Sequence, residues 1–511
     1  MSKFYRLFLL SILCCWVWKS TNAQEIPRIT HPFFTDLNVA LKNKDKVYRL
    51  NLSSQRLNYL PKSILKLKKL EELNLGNNRF KKFPQVLLKM KQLKILRLYN
   101  NKIQRLPLGI DSLKQLEQLD IQRNLIANIP KKIGRLRSLT HLNIAHNQVK
   151  SLPEEIGKLK KLENLKAFDN QLKALPESFS NLRKLVHVAL SNNQLRSIPW
   201  GKFKILETLD LSRNELTSLP SNVKSLKKLR EFYLQNNKIN KLPAEIGDLQ
   251  LLTVLYLNGN TLKRLPKTFT SLKSLEVIKL EHNDLLALPL DVGNLQKLRI
   301  FNLHHNKLKS LPESIGKLTR LVTLQLSNNE LESLPNSIGD LASIKAIWVR
   351  KNKLQTLPKS ISQLKKIEHI YASFNQISVL PIEIAQLIKL KSFAMSNNRL
   401  TAIPDSFWNL KALYFLDLSQ NRIKKISTHI SNMASLRILV LSSNLLKRLP
   451  FGVTRLTNLR EFYLDNNLLA KLPPNMGALL KLKIFTIKRN AFNREQKNLI
   501  RKQLPHVRIG F

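Results

Sequence analysis

Acidic residues are scarce in this chain of 511 residues, with 34 Asp and Glu against 86 Lys and Arg, a formal net charge of +52. A balance so one-sided draws the protein toward anionic polymers and surfaces unless the charge only serves solubility. Cysteine is nearly missing: the only two, Cys14 and Cys15, lie near the amino terminus. A disulfide framework and a paired-cysteine metal site are therefore both excluded from the rest of the chain. Long apolar runs are lacking too. The longest candidate, Leu7 to Val17, is about half of the roughly 20 residues a membrane span needs, so a permanent anchor is the minor reading. Catalytic signatures are absent. No phosphate loop occurs, Gly157-Lys158 and Gly316-Lys317 being periodic positions, and no H-E-x-x-H or G-x-S-x-G stretch appears. Without a nucleophile–base constellation, catalysis is not expected.

The first 23 residues have the build of a secretory signal peptide: a basic start at Lys3 and Arg6, the apolar run, and Thr21-Asn22-Ala23 before Gln24 as a cleavage site. Leu13 and Cys14 stand where a lipoprotein signal would carry a small residue, so lipidation is not expected. Cleavage after Ala23 removes Lys3, Arg6 and Lys19 and leaves a cysteine-free chain of charge +49 (52 minus 3). The expectation is export, to a periplasmic, cell-surface or secreted location.

What is abundant is repetition. Leu298 to Arg320 reads LRIFNLHHNKLKSLPESIGKLTR, and at Leu321 the pattern restarts as LVTLQLSNNELESLPNSIGDLAS, an offset of 23 residues. A fixed period of this length outranks every other sequence signal. An asparagine marks each unit at Asn78, Asn101, Asn124, Asn147, Asn170 and Asn193, then from Asn214 every 23 residues to Asn490. With Gln55 in the same slot of a first unit, there are 20 units. One step is irregular: Asn193 to Asn214 spans 21 residues.

The pattern has physical content of its own. In Leu298–Asn306, alternation turns Leu298, Phe301 and Leu303 inward and Ile300, Asn302 and His304 outward from a short strand. One unit cannot bury its apolar side, but stacked neighbours close a continuous core. A buried Asn amide has the donors and the acceptor to satisfy loop backbone groups in its own and the next unit. The return arm, from Pro312 through Ile315 and Leu318 to Leu321, spaces apolar residues three apart, which suits a 3₁₀ or extended arm. Pro312 presets φ and removes a donor, discouraging a regular α-helix there.

The unit L-x-x-L-x-L-x-x-N-x-L-x-x-L-P-x-x-I-x-x-L-x-x resembles the leucine-rich repeat family, in the 23-residue form shared by bacterial and Ras-scaffold-type repeat proteins. The resemblance spans nearly the whole chain. It implies an α/β repeat fold: a curved solenoid with a parallel β-sheet on its concave face and 3₁₀ or extended convex arms. It implies protein binding in general and names no partner. The kinase, GTPase and ubiquitin-ligase modules that often accompany such repeats are absent. Secreted animal members usually have cysteine-rich caps; cysteine-free caps point instead to a bacterial exported protein.

The expected organisation is a signal peptide at 1–23, an N-terminal helical cap at 24–46, the solenoid at 47–490 and a C-terminal cap of helix and strand at 491–511. At the N-terminal end, Thr35 is expected to cap a helix to about Lys44 that covers the edge of a first strand, Val47 to Leu52. At the other end, Asn493-x-x-Gln496 resembles a capping box, opening a helix to about Leu504 with Leu499, Ile500 and Leu504 inward. Pro505 stops it, and Val507 to Phe511 is expected to add a strand. Twenty strands about 4.8 Å apart give an inner arc of roughly 90 Å, which suits one extended macromolecular ligand.

Function should lie in the outward strand positions, because packing fixes the others. In units one to eight these are mainly polar, as at Asn51, Asn74, Gln118, Asp120, Asn143 and Asp210. Later units change character. Tyr233 and Tyr256 are equivalent positions of adjacent units; Val254, Val277 and Ile300 form a neighbouring row; Trp348 and Tyr371 make another pair, with His369 beside Tyr371 and Tyr463 further along. Exposed contiguous aromatic and apolar side chains suggest a partner surface, whereas the plain alternative is a cross-strand ladder that only stabilises the sheet. The same offset brings Glu281 beside His304 and His282 beside His305; these four either stay solvated, bind a metal or sense pH. No metal or cofactor is required by anything else in the chain. Paired lysines at 68–69, 81–82, 160–161, 227–228, 365–366 and 424–425 fall on the unit flanks. They either solubilise the solenoid or draw it to an acidic polysaccharide, lipopolysaccharide or lipid surface. No nucleic-acid motif accompanies them. The leading expectation is a non-catalytic protein-recognition module using the concave face of units 9 to 15. The alternative is an electrostatic binder of anionic glycan or membrane surfaces.

Overall fold

The short alternation of each unit leaves room for only three strand residues, and that is what forms. In the computed structural model, which describes residues 31–201 and 203–511, strands such as Ile300–Asn302 and Thr323–Gln325 each bury their middle residue. The expected signal peptide and residues 24–30 of the expected cap lie outside the described residues. The strands join one 22-stranded sheet, and each pairs in parallel with the next in the chain. The register is the repeat itself: Ile300 pairs with Thr323 and Val277, each 23 residues away.

Opposite the sheet, the return arms are 3₁₀ turns. Glu313–Lys317 is typical, entered from Pro312 at φ −72° and ψ 149°. Ser427 replaces the proline in one unit and adopts the same backbone, φ −67° and ψ 150°, while its side chain accepts from the His429 amide. The arms stack closely. A Cβ on Gly316 would stand 2.4 Å from the Ser337 carbonyl oxygen, which explains the glycine at that convex corner. Strands pack more tightly than arms, so the stack curves with the sheet on the concave side.

Between sheet and arms runs a single apolar cluster from Ala40 to Val507, in which Leu298, Phe301, Leu303, Leu308, Ile315 and Leu318 are all fully buried. The asparagine ladder closes one side. Asn306 Nδ2 donates to the carbonyls of Leu303, 3.0 Å away, and Leu280, 2.9 Å away, and its Oδ1 accepts from the Leu285 amide at 3.0 Å. Its partners outside its own unit therefore lie in the preceding unit, not the next. The shortened unit keeps the core continuous without a described 3₁₀ turn between strands His187–Ala189 and Thr208–Asp210. There Phe203 packs edge-on against Phe179, ring centroids 5.8 Å apart, and Trp200 reaches Phe232 at 6.5 Å.

The ends differ in detail from expectation. Asp36, rather than Thr35, caps the first helix, Leu37–Lys42; its carboxylate accepts from the Val39 amide at 2.8 Å. The edge of strand Arg49–Asn51 is covered by backbone, not by that helix: Phe33–Phe34 forms a strand whose residues pair with Arg49 and Leu50. At the other end, helix Arg494–Gln503 starts at Asn493, whose side chain accepts from the Gln496 amide at 2.8 Å. Ile500 and Leu504 are buried, but Leu499, about 100° round the helix from Ile500, is 48% exposed. Strand Arg508–Gly510 then pairs with Ile484–Thr486 and closes the sheet. No helix among the described residues is long and apolar enough to cross a membrane.

Candidate binding face

Parallel pairing at a 23-residue offset puts equivalent side chains in rows across the concave face. Tyr233 and Tyr256 are direct register partners and meet edge-on, with centroids 5.1 Å apart. Lys279, next along the row, holds its ammonium 4.1 Å from the centre of the Tyr256 ring. The parallel row carries Val254, Val277 and Ile300 as consecutive partners, all half-buried. The tyrosine pair and the aliphatic row expected from the sequence therefore form a single patch.

A second patch lies further along. Trp348 and Tyr371 are register partners whose rings stack at 5.6 Å and 19°, and His369 lies 6.2 Å from Tyr371. Tyr371 departs from the expectation of an exposed aromatic: only 9% of it is accessible, because Trp348 and His369 flank its ring. Trp348 and His369 remain half-buried and carry the accessible surface there. Burial holds the His369 imidazole below its ordinary pKa. Tyr463 stands apart from both patches, in strand Glu461–Tyr463.

Sequence reasoning overlooked what anchors the tyrosines. Tyr233 Oη donates to Glu231 at 3.0 Å, and Tyr463 Oη donates to Glu461 at 2.7 Å. Burial, followed by the neighbouring carboxylate, pushes both phenols above their usual range. The signal was available, since Glu-Phe-Tyr recurs at 231–233 and 461–463. Phe374 was also missed. It has φ 60° in the loop slot that most often holds asparagine, is 39% exposed, and has the Arg350 guanidinium 4.6 Å above its ring.

Between the two aromatic patches sit the histidines. His282 and His305 stack at 4.3 Å and 14°, and each has its ring 5.2 Å from that of His304. His304 Nδ1 lies 2.6 Å from Asn302 Oδ1. Burial, reinforced by His305 and His282, lowers the His304 pKa to about 4, so this imidazole is neutral at neutral pH. Glu281 occupies the same row one unit earlier; burial raises its pKa, and its Oε2 is enclosed without a hydrogen-bond partner.

The basic flanks are solvent-facing throughout, at Lys68-Lys69, Lys160-Lys161 and Lys365-Lys366 among others. Two shallow cavities across the edges of units 11 to 13 are lined by Lys297, Arg299, Lys317 and Arg320, with Glu276 as their one carboxylate.

Comparisons with known proteins agree with this geometry. A model of a leucine-rich repeat region matches residues 123–200, 192–289 and 277–351, and a second leucine-rich repeat model matches 45–103 and 373–423. A leucine-rich repeat protein of Leptospira interrogans is 30% identical, with 94% of this chain and all of that one covered, at a TM-score of 0.58. The Arabidopsis receptor kinase HAESA ectodomain, in complex with an IDA peptide hormone ligand, is 26% identical over 88% of this chain and 81% of that one, at 0.66. YopM from Yersinia enterocolitica, 24% identical over 90% of both chains at 0.67, shares the fold. Among curated proteins, none matches the chain.

Proposed function

The chain belongs to the leucine-rich repeat family, and from that premise we propose that it is a non-catalytic recognition module that binds a protein partner along its concave face. The observation that carries this reading is the Tyr233–Tyr256 pair with the Val254–Val277–Ile300 row beside it. Aromatic side chains with few rotatable bonds, already held by neighbours, lose little entropy on binding and dominate interface energetics. Glu231 fixes the Tyr233 hydroxyl and Lys279 covers one face of Tyr256, so both rings are preorganised. The HAESA ectodomain, similar in fold and sequence, binds a peptide hormone, which supports a peptide or protein ligand here.

The test is capture of partners by the purified chain from extracellular and envelope fractions at low and high salt. A protein retained at high salt by the parent and lost by Tyr233→Ala/Tyr256→Ala is the expected result. Truncating two hot-spot aromatics should weaken binding by about 2–4 kcal/mol in total. Equal retention by the double variant would sink the reading.

A second reading has its own observation, the cationic cavities of Lys297, Arg299, Lys317 and Arg320. On that reading the ligand is an anionic glycan or lipid surface, binding weakens with salt, and the tyrosine variant binds normally. Export belongs to the same proposal and rests on the sequence of residues 1–23; a secreted form whose amino terminus is Gln24 is the expected finding.

A further inference from the structure

We infer that His282, His304 and His305 form a binding site for a divalent transition ion of the zinc class, on the concave face between the two aromatic patches. The inference does not rest on the partner-binding reading, since a metal ion alone is its ligand.

Three features carry it. The first is convergence: one ligand nitrogen from each of the three imidazoles lies within 4.8 Å of the others. A tetrahedral site with metal–nitrogen bonds of 2.0–2.1 Å needs those atoms about 3.3 Å apart. His282 and His305 are exposed, so rotation about their side-chain bonds can close the remaining distance without disturbing the core. The second is backbone placement. His282 and His305 both have φ 55°, in a loop slot that holds asparagine in seven other units, Asn77, Asn100, Asn192, Asn236, Asn328, Asn397 and Asn466. Their rings therefore leave equivalent backbone positions of adjacent units and stack at 4.3 Å, turned the same way. The third is the supporting shell. Asn302 Oδ1 lies 2.6 Å from His304 Nδ1 and accepts its proton in the tautomer that carries the lone pair on Nε2, and the Gln325 side chain bonds the same ring. A hydrogen-bond partner on the far nitrogen is the usual companion of a metal-bound imidazole.

Three imidazoles suit zinc, copper, nickel or cobalt and disfavour magnesium and calcium. A three-histidine site leaves a fourth position open to water or to a ligand group.

The experiment titrates Zn²⁺ into the untagged, chelator-treated chain by calorimetry and follows Co²⁺ binding by its visible absorption. The expected result is one ion per chain, a dissociation constant in the micromolar range or tighter, and the intense bands of a four-coordinate cobalt site. His282→Asn/His305→Asn restores the residue used in other units, so the fold is kept, and affinity should fall more than about 100-fold. Asn302→Ala, which removes only the orienting acceptor, should cost about 10-fold. Magnesium should give no heat. A parent that binds no zinc at this strength, or a double variant that binds it as tightly as the parent, overturns the inference.

Discussion

Replacing Asn329 with alanine tests the asparagine ladder in the unit between the two aromatic patches. The amide is buried, 8% exposed, and makes three bonds: Nδ2 donates to the Leu303 carbonyl at 3.0 Å and the Leu326 carbonyl at 2.9 Å, while Oδ1 accepts from the Leu308 amide at 3.0 Å. The three are not equivalent. Leu303 O also accepts from Asn306, and Leu326 O from Asn352, so each carbonyl keeps one partner after the change. Only the Leu308 N–H is wholly orphaned. Two lost bonds at about 1 kcal/mol each, plus one buried unsatisfied donor at about 1–3 kcal/mol, give about 3–5 kcal/mol of local destabilisation.

A solenoid transmits such damage mainly to neighbouring units, and a long one need not unfold in a single step. Native-state hydrogen exchange is therefore the direct assay, with urea unfolding alongside. The Leu308 amide and its neighbours should exchange faster by the factor matching that loss, with distant units unaffected. Asn329→Asp separates the parts: it retains the Leu308 acceptor but sets a buried carboxylate oxygen against two carbonyls, so it should be at least as damaging. If the alanine variant unfolds within about 0.5 kcal/mol of the parent and Leu308 exchanges at the parental rate, the ladder is not the constraint argued here.

Gly316→Ala should destabilise by about 1–3 kcal/mol, because its Cβ would meet the Ser337 backbone oxygen at 2.4 Å, a group unable to swing aside. Gly109→Ala is the control: its Cβ would stand 3.3 Å from a leucine methyl, and urea midpoints should show little change. Half-buried His141 and His187 have pKa values lowered by burial, so below the ordinary value of 6.5 the unfolded chain binds more protons than the folded one. Their contribution is complete above that pH and is lost as pH falls below it. His141→Gln/His187→Gln should therefore flatten the fall in urea midpoint between about pH 7 and 5; an unchanged slope would assign the acid sensitivity elsewhere. Ser427→Ala should cost about 0.5–2 kcal/mol through its lost cap, read in the same unfolding assay.

The repeat, the short strands, the 3₁₀ or extended arms and the pairing register were legible in the sequence, although the first strand is Arg49–Asn51 rather than Val47 to Leu52. Each follows from spacing within one unit plus identity between units, and a one-residue slip would turn Phe301 and its equivalents out of the core. The adjacency of Tyr233 to Tyr256, and of Trp348 to Tyr371, followed from the same offset. Accessibility did not. Tyr371 faces the concave side as its position requires, yet stacking on Trp348 and His369 leaves it 9% exposed. Periodicity assigns a direction to a side chain; its exposure depends on how large its neighbours across the sheet are and how they turn.

The sequence by itself determined the architecture, because 20 copies of one local pattern admit one way of stacking and every copy votes for the same register. Only the tertiary structure decided what breaks the repetition. It paired Phe33–Phe34 with the first strand, moved the helix cap to Asp36 and left Leu499 in solvent, since the ends have a neighbour on one side alone. It also gathered His282, His304 and His305 into one cluster. The offset placed these residues near one another, but a positive φ at two of them and an asparagine behind the third set the directions of their rings. The stacking of His305 on His282 is a contact between units, which no single unit contains.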